Sequence, residues 1–227
     1  TVTSIRLFMK MALRQPIITY GVKPTKLIPN STKPLLNYKG CFSRKGKFDP
    51  ILAYDTLKGH GWDVQWVTKY GRHQRSHYHA ESHETMVVLS GSGVIRWGVA
   101  DLSGDLKKTT YGDAYEGGGI EMDAKVGDVF VIPAGIAHKS YNPHSTDYDF
   151  NRLTGEARVI EPNDFKNTVE HFPSTEFIMM GAYPHGYTWT WGGEGGEHGG
   201  QFESVWAVPK PELDPVLGDE GGTCKYW

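Results

Sequence analysis

His77, His79, His83 and Glu84 stand within eight positions of one another in HYHAESHE, and the apolar run TMVVL follows at once. A solvated loop would scatter such side chains, and a plain core strand would exclude them. His77 and His79 are two residues apart, so on a strand both imidazoles project from one face and can converge on a single ion. Glu84 opens ETMVVLS, in which Glu84, Met86 and Val88 share a face, and a tight turn before it would aim the carboxylate at the same point. Far downstream, His138 follows a Pro-Ala-Gly turn in GDVFVIPAGIAHKSYN. Three neutral imidazole nitrogens and one carboxylate make a site for Fe, Mn, Zn, Ni or Cu. On an octahedral ion such a set leaves about two positions for water, dioxygen or substrate. Met86, Val88 and Phe130 would supply dry walls.

The neighbouring side chains sort by the same parity. Adjacent strand residues point to opposite faces, so His83 turns away from an ion that Glu84 faces, and Tyr78 turns away from the side of His77 and His79. Tyr78 is therefore expected to pack between layers rather than to act in catalysis. His73 and His144 flank the cluster and are expected at the surface, and Arg72 and Arg75 are expected to be solvated charges. The glycine-rich TWGGEGGEHGG, residues 190–200, lacks the GK[ST] of a phosphate loop and does not match GxGxxG. It reads as a surface loop whose Glu194, Glu197 and His198 could cover the site as a lid. Glu197, His198 and His185 are the candidate proton-moving groups.

The elements that must position this cluster are mostly strands. DVQWVTKY, ETMVVLSGSGVIRWGV, DVFVIPAG and EFIMMGAYP are β-type runs punctuated by Gly and Pro. FDPILAYDTLKGHGW predicts one helix, with Pro50 at its start, apolar Ile51, Leu52, Tyr54 and Leu57 at helical spacing, and Gly59 at its stop. PNDFKNTVEHF predicts a second, with Asn163 as its cap. Helices are few and expected near the ends of the chain. A sandwich or barrel is the natural closure, because it removes sheet edges.

Composition bounds the function classes. The chain has 227 residues, 28 glycines and a net charge of −2, which gives no reason to expect nucleic acid as a partner. No apolar run reaches the length of a membrane span. Charge is uneven: residues 1–48 carry ten Lys or Arg and no acid, and Asp49 is the first carboxylate. Cys41 and Cys224 lie far apart and outside any CxxC, so no disulfide framework is expected and a reducing, cytoplasmic setting is. NST at Asn30 fits a glycosylation acceptor, but no secretory signal pattern accompanies it.

Two spacings carry a resemblance. Residues 71–91 read G-x5-H-x-H-x4-E-x6-G, and residues 127–142 read G-x5-P-x-G-x2-H-x3-N. In that order they resemble the two signature motifs of the cupin superfamily, the RmlC-like barrels. HYHAESHETMVVLSG, GAYP at 181–184, IPNSTKPLLNYKG and DPVLGDEGG with the closing KYW resemble the YjlB-like single-domain cupins. The resemblance implies an all-β double-stranded β-helix, a jelly-roll barrel with a few short peripheral helices, and a metal held by His77, His79, Glu84 and His138. It runs from residue 26 to 227, leaving 1–25 as a basic extension, while 92–126 and 143–174 stand out as insertions able to reshape the pocket mouth.

Cupins host many activities, so the fold leaves function open. The expected function is a mononuclear metal-dependent enzyme on a small organic molecule, a dioxygenase-type oxidoreductase with iron. The alternatives are a metal-dependent isomerase or lyase of a sugar or polyketide-like compound, and a non-catalytic binding or storage module. A homodimer is expected, because cupin barrels leave a sheet edge open and the acid-free segment 1–48 can add a strand to an acidic partner.

Overall fold

The computed structural model describes residues 16–155, 158–173, 175–189 and 193–227. The alternating runs become antiparallel strands in two sheets whose inner faces share one core. The larger sheet has seven strands in the spatial order β1 (Ile18–Tyr20), β2 (Leu35–Tyr38), β9 (Val129–Ile132), β6 (Glu84–Ser90), β12 (Ile178–Pro184), β5 (Trp62–Lys69) and β11 (Asn151–Thr154). The smaller has β10 (His138–Tyr141), β7 (Ser92–Trp97) and β8 (Ile120–Lys125). A two-stranded ribbon, β3 (Ser43–Arg44) with β4 (Lys47–Phe48), stands apart. The border strand β1 pairs Ile18 with Asn37, so part of the segment 1–25 is drawn into the sheet.

Period-two patterning builds the layers. On β6, Met86 and Val88 turn inward to Ile95, Trp97 and Phe130, the last from β9. Val87 and Leu89 turn outward, where they join Tyr54, Leu57 and Phe165. The large sheet is thus apolar on both faces, and helices cover its outer one.

Helix α1 spans Pro50–Gly59, where Asp49 accepts hydrogen bonds from the Ile51 and Leu52 N–H groups. A side-chain oxygen at this position satisfies donors that the first helical turn leaves unpaired. Helix α2, Leu106–Tyr111, lies in mid-chain, inside the expected insertion 92–126, which corrects the expectation that helices sit near the ends. The same region also supplies β7 and β8, so much of it is barrel wall. Helix α3 spans Pro162–His171, but Glu161 holds the cap position without a side-chain bond, and Asn163 lies within the helix. Phe165 of α3 stacks on Tyr54 of α1 with ring centroids 4.7 Å apart. Short α4 (Phe202–Trp206) and α5 (Gly222–Tyr226) follow near the end. Asn30 is fully buried and its amide donates to the Lys23 and Gly98 carbonyls, so NST is a packed turn and no glycan fits there. No helix among the described residues is long and apolar enough to cross a membrane.

Candidate metal centre

The two motif segments are laced together by backbone bonds. The Asn142 N–H donates to the Gly71 carbonyl at 2.8 Å, joining the end of one motif to the start of the other. His77 and His138 exchange both backbone bonds, at 3.1 and 2.8 Å, as a hydrogen-bonded antiparallel pair. Residues facing each other in this way project from the same side, and the two rings lie 4.4 Å apart. His79 is tied from the other direction: its carbonyl accepts from the Gly135 N–H at 2.8 Å. Gly135 has φ +89°, a left-handed conformation that glycine adopts without strain, and this bends the Pro-Ala-Gly turn toward His138.

Glu84 comes from the opposite sheet. As the first residue of β6 it faces Ile132 of β9, and parity puts it on the inner face with Met86 and Val88. The ligand-type nitrogens of His77, His79 and His138 all lie within 4.8 Å of one another, and all three side chains are buried. Glu84 Oε2 stands 3.4 Å from His79 Nε2 and 3.2 Å from His138 Nε2. Each expected ligand thus reaches one cluster between the sheets.

The imidazoles are oriented from behind. His77 Nδ1 lies 3.1 Å from the Arg75 carbonyl and His138 Nδ1 lies 3.2 Å from the Ile136 carbonyl. A carbonyl only accepts, so Nδ1 carries the proton in both rings and Nε2 keeps its lone pair for the cluster. Burial holds His77 well below the usual imidazole range, and the neighbouring His138 and His79 push the same way, so it stays neutral. Burial pushes Glu84 up, but the histidines beside it, His79 foremost, outweigh this and hold the carboxyl well below its ordinary value. Glu84 is thus a carboxylate.

Sequence reasoning did not single out Tyr183 on β12. Its hydroxyl donates to Glu84 Oε1 at 2.5 Å and accepts from the Trp66 indole N–H at 3.0 Å. The Trp66 ring fits because Gly181 has no side chain; a Cβ there would run into the indole. Burial and the charge of Glu84 raise Tyr183 well above the usual phenol range, so it remains a neutral donor. The signal was present in GAYP, which combines the space at Gly181 with the hydroxyl at Tyr183.

The cluster opens into a cavity of about 40 Å³, lined also by Trp66, Thr68, Tyr70, Met86, Arg152 and Trp189. Arg152 arrives with Phe150 from the expected insertion 143–174, which therefore does shape the pocket.

The other expectations divide. His83 turns away: its Nδ1 accepts from the Ala134 N–H at 2.9 Å, Nε2 lies 3.1 Å from the Pro209 carbonyl, and the ring packs on Trp227. Tyr78 is fully buried beside Ile28, Ala134 and Val205, and its hydroxyl lies 2.7 Å from His198 Nδ1. Residues 193–198 consequently lie over Tyr78, on the far side from the ligand cluster, and their lid role is corrected. Residues 190–192 of that loop fall outside the described ones. Glu197 spends its carboxylate on the Glu194 and Gly195 N–H groups, and His185 pairs with Asp63 at 2.8 Å. None of Glu197, His198 and His185 lines the cavity, so as proton-moving groups they are misplaced. His73 packs against Tyr111 and Tyr148. Arg72 donates to the Ser145 carbonyl, and Arg75 pairs with Glu194 at 3.1 Å.

Two facing antiparallel sheets, with three histidines and a glutamate converging between them at the two motif spacings, make a cupin-like fold whose cluster could hold a metal ion. No family model matches the chain. Among curated proteins it is similar to YjlB of Bacillus subtilis strain 168, described as an uncharacterized protein, at 24% identity over 211 residues, covering 92% of this chain and 95% of YjlB. Among solved structures, it is similar to the oxalate decarboxylase of Lactobacillus farciminis at 14% identity, with 55% of this chain and 26% of that one covered and a TM-score of 0.28. It is likewise similar to the capsular polysaccharide assembling protein CapF of Staphylococcus aureus, at 15% identity, 76% and 31% coverage and a TM-score of 0.29. The chain spans about a third or less of the length of these solved structures.

Proposed function

We propose that this chain binds one divalent transition metal through His77, His79, Glu84 and His138, and works as a mononuclear metal-dependent enzyme on a small organic molecule. The observation that carries this reading is Glu84 Oε2. It is buried, has no hydrogen-bond partner among the described residues, and sits among imidazole nitrogens. A buried anion in that state costs several kcal/mol, and a cation among the four donors removes the penalty. A bound ion of this class supplies Lewis-acid or, if redox-active, oxygen chemistry.

The reading is of an oxidoreductase of dioxygenase type with iron as the metal, and the protein groups around the cluster speak against the isomerase or lyase alternative. Isomerisation or lysis needs a side chain free to move a proton beside the substrate. Beyond the proposed ligands, the hydroxyls that line the cavity are those of Thr68, Tyr70 and Tyr183. Burial and the charge of Glu84 raise Tyr70 far above neutrality, and Tyr183 is committed to Glu84. These groups hold protons rather than shuttle them. The chain's part is to orient the ligands, keep Glu84 ionised and exclude water with Met86, Trp66 and Trp189.

The test is elemental analysis of the purified protein, followed by oxygen consumption across phenolics, diketones and keto acids. Iron with substrate-dependent uptake supports the reading. Zinc or nickel with turnover and no uptake moves it to the isomerase class, and a metal-free protein that binds its ligand unchanged makes it a binding module. His77→Ala and His138→Ala should each lose most of the bound metal while the barrel still folds, and metal content near wild type in both would overturn the ligand set.

A further inference from the structure

Away from the proposed ligands, the cavity wall presents donors with no acceptor among the described residues. Thr68 on β5 and Arg152 on β11 are partners in register. Side chains directly opposite on neighbouring strands project from one face, and both of these reach the cavity that contains the four-residue cluster. Thr68 is 2% exposed, yet its hydroxyl has no hydrogen-bond partner among the described residues. The Trp189 indole N–H, on the same wall, is buried and likewise has no partner among the described residues.

Arg152 stands out against the basic residues near it. Lys69 pairs with Asp147, Arg75 with Glu194, and Arg96 with Glu121. Among the described residues no carboxylate pairs with Arg152. Its guanidinium lies instead 5.1 Å from the Trp189 ring centroid, and it is the one Arg or Lys in the described lining. Stacking on an indole fixes the plane of the fork without using its N–H groups.

A guanidinium, a hydroxyl and an indole N–H held in the wall of one small cavity have a defined complement. That complement accepts hydrogen bonds only, is negatively charged and is planar enough for the fork. We propose that the cavity takes a small organic acid whose carboxylate is received by Arg152, Thr68 and Trp189 while its other end faces His77, His79, Glu84 and His138. The proposal rests on the metal reading above and adds the substrate class. The cavity is small, about 40 Å³, so the acid is a short one.

The test is calorimetric titration of the full chain with pyruvate, malonate, succinate and 2-oxobutyrate, each beside its methyl ester, and with inorganic phosphate. Each titration is run on metal-loaded and on chelator-stripped protein. At least one acid should bind, and its ester should bind about tenfold more weakly or worse, the usual cost of a lost charge-assisted bond. Arg152→Met should lose about tenfold to a hundredfold in affinity for that acid with metal content unchanged. Arg152→Lys should lose less, and Thr68→Val, which keeps the shape, should lose severalfold. No binding by any acid, equal binding of acid and ester, preference for phosphate, or an Arg152→Met protein that is folded and retains full affinity would each overturn the proposal. Failure of the metal reading looks different: the protein would take up no ion, while Arg152-dependent binding of the acid to the stripped chain would persist.

Discussion

The Tyr183 hydroxyl donates to Glu84 Oε1 at 2.5 Å, and this leaves Oε2 as the oxygen presented to His79 and His138. Partners of this kind fix the orientation of a ligand, and their loss typically costs about 10–100-fold in metal affinity. Tyr183→Phe keeps the ring against His79, whose centroid is 5.7 Å away, and removes only the donor. Metal affinity measured by competitive chelation should fall about tenfold, with a near-native circular dichroism spectrum. Unchanged affinity in the folded variant would show that the hydroxyl does not set the carboxylate.

Cys41 gives a prediction at alkaline pH. Burial pushes its thiol up to about 12 from 9.0, and the charges of Asp128 and Asp214 add to the effect. Only the thiolate reacts with disulfide reagents, so Cys41 should resist them in the folded protein at pH 8 and react on unfolding. The same shift has a linkage consequence. Above pH 9 the unfolded chain loses this proton while the folded one retains it, so the contribution to stability is complete below 9 and is lost as pH rises toward 12. Wild type should therefore lose stability relative to Cys41→Ala by roughly 1 kcal/mol per pH unit between 9 and 10, in paired denaturant titrations. Parallel pH profiles would refute the assignment.

What was legible in the sequence was what local periodicity and turns determine. The two-residue spacing of His77 and His79, the parity that separates His83 from Glu84, and the glycine turn before His138 are short-range facts, and each reappears in the fold. Arg152, Thr68 and Tyr183 were missed for one physical reason. Their roles depend on pairing of β5 with β11 and of β6 with β12, contacts between segments about 80 to 100 residues apart that no local pattern encodes. The loop over Tyr78 was misjudged on the same ground. Its composition marked a loop, but the side of the strand it covers is decided by the bridge from Tyr78 to Gly193.

Association is open to a direct measurement. Among the described residues, strand β1 lies at one border of the seven-stranded sheet and pairs on one side only, with β2, so its other backbone groups can template a second chain. A homodimer is the expected state in light scattering at micromolar protein. A monomer at that concentration with the segment 1–48 intact would refute it.

Glu84 and His83 are adjacent in sequence, and their environments make opposite predictions for the same replacement. Glu84→Gln preserves size and removes the negative charge, leaving neutral imidazoles to hold a dication, so chelation assays should show weaker metal binding. The spectrum of the cobalt-substituted protein should shift with it. Both ring nitrogens of His83 are occupied, by the Ala134 N–H and the Pro209 carbonyl, and its ring packs on Trp227 with centroids 4.7 Å apart. His83→Gln breaks that packing, and it should lower the unfolding midpoint while leaving metal affinity and the cobalt spectrum as they were. The two readouts therefore cross: one variant loses metal and keeps stability, and the other does the reverse. A cobalt spectrum perturbed by His83→Gln and untouched by Glu84→Gln would mean the register of β6 is off by one, and Met86 and Val88 would then leave the inner wall together.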